Sequence, residues 1–313
     1  MKILIAYDGS DSADTAIDSL QRAGLPAEHV DALVVSVGEV WLPPADVSGD
    51  TFPSDEPPGL KEARERAARV IAEAEQLAQR GSKRVQQIFP AWRVDHDVRN
   101  GSPGFELLNC AREWQADLIV VGSHGHTALG RFVLGSVSQK LLTEASTSVH
   151  VARSSTGTEK SGERIVIGVD GSTGALAAIR AVGKRHWTEG SELRIVVADD
   201  VMRGNPIWLL IPPFREFVQE VEAEERTQAE QFALAAAKEL RESLGERNVT
   251  VSSMVISGDP KKVLIEHAEE FGADCIFTGA TGFSSRLERV ILGSVSAAVA
   301  GRAHCSVEVV REG

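Results

Sequence analysis

An internal repeat constrains this chain more than any other feature. Lys2-Ile3-Leu4-Ile5-Ala6-Tyr7 runs into Asp8-Gly9-Ser10, and Arg164-Ile165-Val166-Ile167-Gly168-Val169 runs into Asp170-Gly171-Ser172. Asp117-Leu118-Ile119-Val120-Val121 leads to Gly122-Ser123-His124-Gly125, as Asp274-Cys275-Ile276-Phe277-Thr278 leads to Gly279-Ala280-Thr281-Gly282. Leu134-Gly135-Ser136-Val137-Ser138 then matches Leu292-Gly293-Ser294-Val295-Ser296. The copies lie 162, 157 and 158 residues apart, so the chain reads as a tandem duplication. A polar stretch without large apolar residues, 154–162, serves as the linker between halves 1–153 and 163–313.

Within each half, short apolar runs alternate with helical patterns. Ile3–Tyr7 is continuously apolar, as expected of a parallel strand buried on both faces. Leu60, Ala63, Ala67, Val70, Ile71, Ala74 and Leu77 recur at helical spacing and predict an amphipathic helix. Further strands are expected at 32–37, 92–98, 118–121 and 149–151, and in the second half near 164–169, 193–198, 249–256, 274–278 and 306–310. The alternation predicts an α/β fold: two repeated doubly wound α/β sandwich domains, each with a five-stranded, mainly parallel sheet flanked by helices. Ligands of such sheets bind beyond the carboxyl ends of the strands, where both glycine clusters fall.

Charge narrows the partners. There are 33 basic and 45 acidic residues, a net charge of −12, and the basic side chains are scattered rather than gathered in a stripe. A nucleic-acid partner is not expected. Three cysteines without a C-x-x-C pair suit a reducing compartment, and neither the N-terminus nor the apolar stretch 207–213 has the length of a membrane span. The expected location is cytoplasmic, with no membrane partner.

The glycine patterns are Gly122-x2-Gly125-x9-Gly135-Ser136 and Gly279-x2-Gly282-x10-Gly293-Ser294. Glycine after a strand lets backbone turn sharply and approach a ligand. Gly-Ser opening a helix offers unpaired N–H groups and a positive dipole end, which suit phosphate. The hydroxyls of Ser136, Ser138, Ser294 and Ser296 are candidate additional donors. The alternative is that these glycines are tight strand–helix turns and caps inherited by duplication. Asp8 and Asp170 carry a similar pair of readings, a turn and helix cap or a ligand contact; their repetition at the crevice favours contact.

The order of strand, Asp-Gly-Ser, strand, strand, then G-x2-G-x9-G-[S/T] resembles the ATP-binding branch of the universal stress protein family, in both halves. The resemblance implies a five-stranded sandwich that binds ATP at the strand ends. It places Asp8 and Asp170 near ribose and adenine, and backbone at Val37 and Val197 at the adenine edge. Gly122, Gly125, Gly135, Ser136, Val137 and Ser138 would wrap ribose and phosphates, as would Gly279, Gly282, Gly293, Ser294, Val295 and Ser296. The second half departs from the pattern by one added loop residue. The resemblance also implies antiparallel pairing of the terminal strands, making an intramolecular pseudo-dimer; a homodimer of chains is a further expectation.

His124 and His126 flank Gly125, without a third ligand at metal-like spacing, and read as polar loop residues. Arg131, Arg286 and Arg289 have two readings, contact with a triphosphate or solvated loop cations, and the second is favoured. Mg2+ bridging the phosphates is expected chemistry, with no carboxylate assigned to it. No Walker lysine, nucleophile elbow or H-E-x-x-H is present, so no catalytic residue is assigned and any ATPase activity is expected to be slow. The expected function is stress response through the nucleotide-bound state. The rivals are a slow ATPase and a dimeric interaction scaffold that binds no nucleotide. The segments beginning at Trp41 and Ile207 read as a lid and as a lid or apolar partner surface, respectively.

Overall fold

β-Branched and leucine-rich runs make the strands, and serine or proline starts many of the helices. The computed structural model describes residues 1–40, 58–125, 134–154, 162–199, 212–280 and 292–311. The first half contains β1 (Lys2–Ala6), α1 (Asp11–Ser19, continued by a 3-10 turn Leu20–Arg22), β2 (Asp31–Gly38), α2 (Pro58–Ile88), β3 (Arg93–Asn100), α3 (Pro103–Trp114), β4 (Leu118–Gly122), α4 (Ser136–Glu144) and β5 (Ser148–Ala152). The second repeats it with β6 (Arg164–Val169), α5 (Thr173–Gly183), β7 (Glu192–Asp199), α6 (Pro212–Leu244), β8 (Thr250–Ser257), α7 (Pro260–Phe271), β9 (Cys275–Gly279), α8 (Ser294–Arg302) and β10 (Ser306–Val310).

The ten strands form one sheet in the order β3-β2-β1-β4-β5-β10-β9-β6-β7-β8. Every pairing is parallel except β5 with β10, which are antiparallel and opposed as Val151–Val307, His150–Glu308 and Val149–Val309. Each half is therefore a five-stranded parallel sheet of order 3-2-1-4-5, and the terminal strands join the two edge to edge. Pairing also removes two exposed edges.

Three apolar cores hold the layers. One lies across both halves on a single face, where Leu107 and Leu108 of α3, Leu141 and Leu142 of α4, Val263 and Leu264 of α7, and Val299 and Ala300 of α8 cover the sheet. On the opposite face, α1 and α2 cover β1 and β2 through Ile17 and Val85, while α5 and α6 cover β6 and β7 through Ile179 and Leu240. Fully burying an isoleucine such as Ile5 contributes about 1.5–3 kcal/mol, and the shared core makes the junction part of the fold.

The apolar periodicity from Leu60 to Leu77 predicts the first two thirds of α2; the helix runs on through Ile88, burying Ala78 and Val85. Gly81 permits this, because a Cβ there would stand 2.9 Å from the Val34 side chain and 3.0 Å from the Tyr7 ring. The segments 41–57 and 200–211, which hold the expected covers at Trp41 and Ile207, lie outside the described residues.

Candidate functional site

The two Asp-Gly-Ser turns are built alike. Asp8 Oδ1 accepts hydrogen bonds from the Ser10 backbone N–H (3.0 Å) and hydroxyl (2.6 Å), and Ser10 Oγ in turn accepts from Ala13 N–H, capping α1. Asp170 Oδ1 accepts from Ser172 N–H at 3.0 Å, and Ser172 caps α5. The turn-and-cap reading of these aspartates is thus correct for one carboxylate oxygen. In the first half the other oxygen faces Gly125, where an added Cβ would lie 3.1 Å from Asp8 Oδ2. The turn after β1 and the loop after β4 therefore converge.

Between them is a cavity of about 440 Å3 at the carboxyl ends of β1, β2 and β4. Asp8, Val37, Gly122, Gly125, Gly135, Ser136, Val137 and Ser138 all line it. The cavity thus gathers every first-half residue that the family resemblance places around a ligand.

The glycines act differently. A Cβ at Gly122 would stand 2.5 Å from Ser12 Oγ and 2.6 Å from the Ser12 carbonyl, and one at Gly279 would stand 2.3 Å from the Gly174 backbone. These two are required because α1 and α5 lie against the ends of β4 and β9. Gly135 is not crowded: its added Cβ would come no nearer than 3.5 Å to the protein. It is the N-cap of α4, in extended conformation, and gives the helix no side-chain cap; Gly293 does the same for α8. The helices after β1 and β6, α1 and α5, are capped by serine side chains, whereas those after β4 and β9, α4 and α8, have no side-chain cap among the described residues. An orphan helix N-terminus receives an anion favourably, by about 0.3–1 kcal/mol or more when partly buried.

The serines divide likewise. Ser138 Oγ donates to the Gly122 carbonyl at 2.7 Å, and Ser296 Oγ to the Gly279 carbonyl at 2.5 Å. These buried hydroxyls brace the strand end, so the expectation that they donate to a ligand oxygen is corrected. Ser136 and Ser294 are exposed at the first helical position. Gly135 N–H bonds Ser123 O at 2.8 Å and Gly293 N–H bonds Ala280 O at 2.7 Å, closing each loop at its base.

Strand register corrects one positional match. Ala6 pairs with Val35 and Gly168 with Val196, so Val37 corresponds to Ala198 rather than Val197. Val37 and Ala198 pack toward the core shared by the halves, whereas Val197 is buried in the opposite core. A slip of one residue along a strand exchanges its faces. Val197 corresponds instead to Ser36, whose hydroxyl donates to Tyr7 O at 2.6 Å.

Sequence reasoning passed over Tyr7, Ser36 and Glu39, which line the first cavity together with His124. Tyr7 donates to Asp14 (2.7 Å) and accepts from Arg80 (3.1 Å); burial, with Asp14 beside it, pushes its phenol above the ordinary range and keeps it neutral. Its signal was available: it is the chain's one tyrosine, directly before Asp8. His124 N–H is anchored by Ser12 Oγ at 3.1 Å. Gly282, His126, Arg131, Arg286 and Arg289 lie outside the described residues, as do Thr281 and Phe283. Among the described residues no three His, Cys, Asp or Glu side chains gather as a metal site, and no helix is long and apolar enough to cross a membrane.

Two doubly wound α/β units joined edge to edge through their last strands define a tandem α/β protein. The comparisons give the family. Residues 1–153 and 162–311 each match the universal stress protein family, and the chain belongs to it. A universal stress protein of Thermus aquaticus is 37% identical over 151 residues, which is 48% of this chain and 97% of the relative, so a single half equals a whole relative in length. One from Mycolicibacterium smegmatis is 31% identical over 159 residues, 49% of this chain and 46% of that one. The fold of a universal stress protein from Archaeoglobus fulgidus superposes on all of this chain and 98% of its own, with a TM-score of 0.61 and 20% identity.

Proposed function

We propose that this universal stress protein binds ATP in the first-half cavity, and in the corresponding second-half cleft, and acts through its nucleotide-bound state. The observation that carries the reading is the uncapped N-terminus of α4 at one side of a 440 Å3 cavity with the Asp8 carboxylate at another. Asp8 is suited to accept from ribose hydroxyls, the β2 end near Val37 to meet the base, and the N–H groups of 136–138 to meet phosphate oxygens.

The residues present fit such a ligand without supplying machinery for its rapid hydrolysis. Among the described lining residues there is no lysine or arginine to clamp the β and γ phosphates. Asp8 holds its own turn through one oxygen, which accepts from the Ser10 backbone and hydroxyl. Mg2+ would neutralise phosphate charge when bound; the described protein groups do not assemble a site for it.

Titration calorimetry of nucleotide-stripped protein tests the reading. ATP is expected to bind the parent and not a Gly135→Asp, Gly293→Asp variant; absence of heat at millimolar ATP in the parent overturns it. Following ADP during the same incubation separates a binding protein from a slow ATPase.

A further inference from the structure

The β5–β10 junction relates the halves by a pseudo-twofold axis, and the arginines that follow its two strands obey it. Arg153 N–H donates to Ser306 Oγ and Arg311 N–H to Ser148 Oγ, both at 3.1 Å. The Arg153 guanidinium donates to Ala300 O of α8, and the equivalent Arg311 guanidinium to Leu142 O of α4. Each arginine meets the last turn of the other half's helix, where carbonyl oxygens and the dipole favour a cation.

Residues on the axis face their own equivalents, and there the symmetry is broken in chemistry and in size. His150 is the equivalent of Glu308 and stands directly opposite it, Nδ1 to Oε2 at 3.2 Å, with both side chains 2% exposed. His150 Nε2 lies 3.3 Å from Ser19 Oγ, which itself donates to Ala16 O at 2.8 Å, so both ring nitrogens of His150 are engaged. Arg185 is the equivalent of Ala23, and it fills the space that Ala23 leaves, donating to Ala23 O at 3.0 Å and to Glu308 at 2.5 Å. Gly24, the equivalent of His186, is equally small: a Cβ there would stand 2.9 Å from the Trp187 ring and 3.0 Å from Arg185 Cβ.

We propose that these axis residues make the junction selective, so that each half recognises a partner of the other type and rejects its own copy. Two second-type halves would set Glu308 against Glu308 and force Arg185 and His186 into the room held by Ala23 and Gly24. Two first-type halves would set His150 against His150 without a carboxylate and leave the Arg185 volume empty. In an isologous pair an axis residue must meet itself, so complementarity of acid with base and large with small exists only between unlike halves. Duplication within one chain is what permits this. The partner that fits the first half carries an acid at the centre of its terminal strand and Arg-x-Trp after its first helix, and the second half of the same chain supplies it.

Three full-length variants test the proposal by chemical denaturation and size-exclusion chromatography. Ala23→Arg with His150→Glu makes both halves second-type on the axis. Arg185→Ala with Glu308→His makes both first-type. All four changes together exchange the Ala23/Arg185 and His150/Glu308 pairs between halves. Each like-type variant is expected to lower the folding equilibrium constant at least about tenfold, and the fully exchanged chain to recover most of that loss. Like-type variants as stable as the parent would overturn the proposal. An exchanged chain no better than the like-type ones, or one that does not fold, would also overturn it, because the residues would then matter singly and not as a matched set.

Discussion

Ser138 gives its hydroxyl hydrogen to the carbonyl of Gly122, at 2.7 Å, and Ser296 repeats the bond to Gly279 in the other half. The bond ties the third residue of each helix to the end of the strand before the glycine loop. Replacing Ser138 with alanine leaves a strand-end carbonyl without this partner, and the expected loss of stability is about 1–3 kcal/mol. Denaturant unfolding of Ser138→Ala and Ser296→Ala checks it; ATP affinity should fall only as far as the loop loosens.

Gly135→Asp is expected to separate ligand binding from folding. The N-cap position has extended backbone, φ −63° and ψ 154°, which aspartate adopts readily, and its carboxylate would cap α4. The fold should be unchanged or stabilised by a few tenths of a kcal/mol, while a negative charge replaces the anion site. Melting temperature should hold while calorimetric binding at the first cavity disappears.

Gly122→Ala is expected to behave in the opposite way. The added methyl meets Ser12 backbone as well as its side chain, so α1 must shift from β4. A cost of about 1–3 kcal/mol is expected, seen in the unfolding midpoint.

The junction carboxylate sets an acid limit. Burial pushes Glu308 up, but Arg185 and His150 outweigh it and hold the carboxyl below the usual range. A depressed carboxylate contributes stability that is complete above its unfolded value near 4.3 and is lost as pH falls through the lower folded value. Unfolding free energy measured from pH 7 to pH 3 should therefore fall more steeply below about pH 4.3 in the parent than in Glu308→Gln.

The cysteines are expected to be unreactive in the folded chain. Burial pushes Cys110 up to about 11 and Cys305 up to about 12, and Cys275 well above its ordinary value. At pH 8 almost no thiolate is present. Maleimide labelling, followed by mass, should be slow in buffer and rapid in denaturant.

Most of the architecture was legible because its signals are local. Apolar runs ending in Asp-Gly-Ser, glycine pairs after strands and Gly-Ser before helices each specify a turn at a known place, and their repetition specifies two domains. The first cavity was legible for the same reason, since its backbone elements carry those motifs. Register was not: in Arg194-Ile195-Val196-Val197-Ala198 nothing marks which residue lies level with Val37, and pairing with β6 decides it. The roles of Gly122 and Ser138 also depend on partners far along the chain, Ser12 and a strand carbonyl. The His150–Glu308 contact is legible only once antiparallel pairing places the two opposite each other.

The most direct measurement is the identity and amount of small molecule released when freshly purified protein is denatured, by mass spectrometry, per chain. Adenine nucleotide at about one per chain, rising toward two on addition of ATP, is the result predicted if both halves bind as proposed. Protein that releases none and takes up none from millimolar ATP would contradict nucleotide binding.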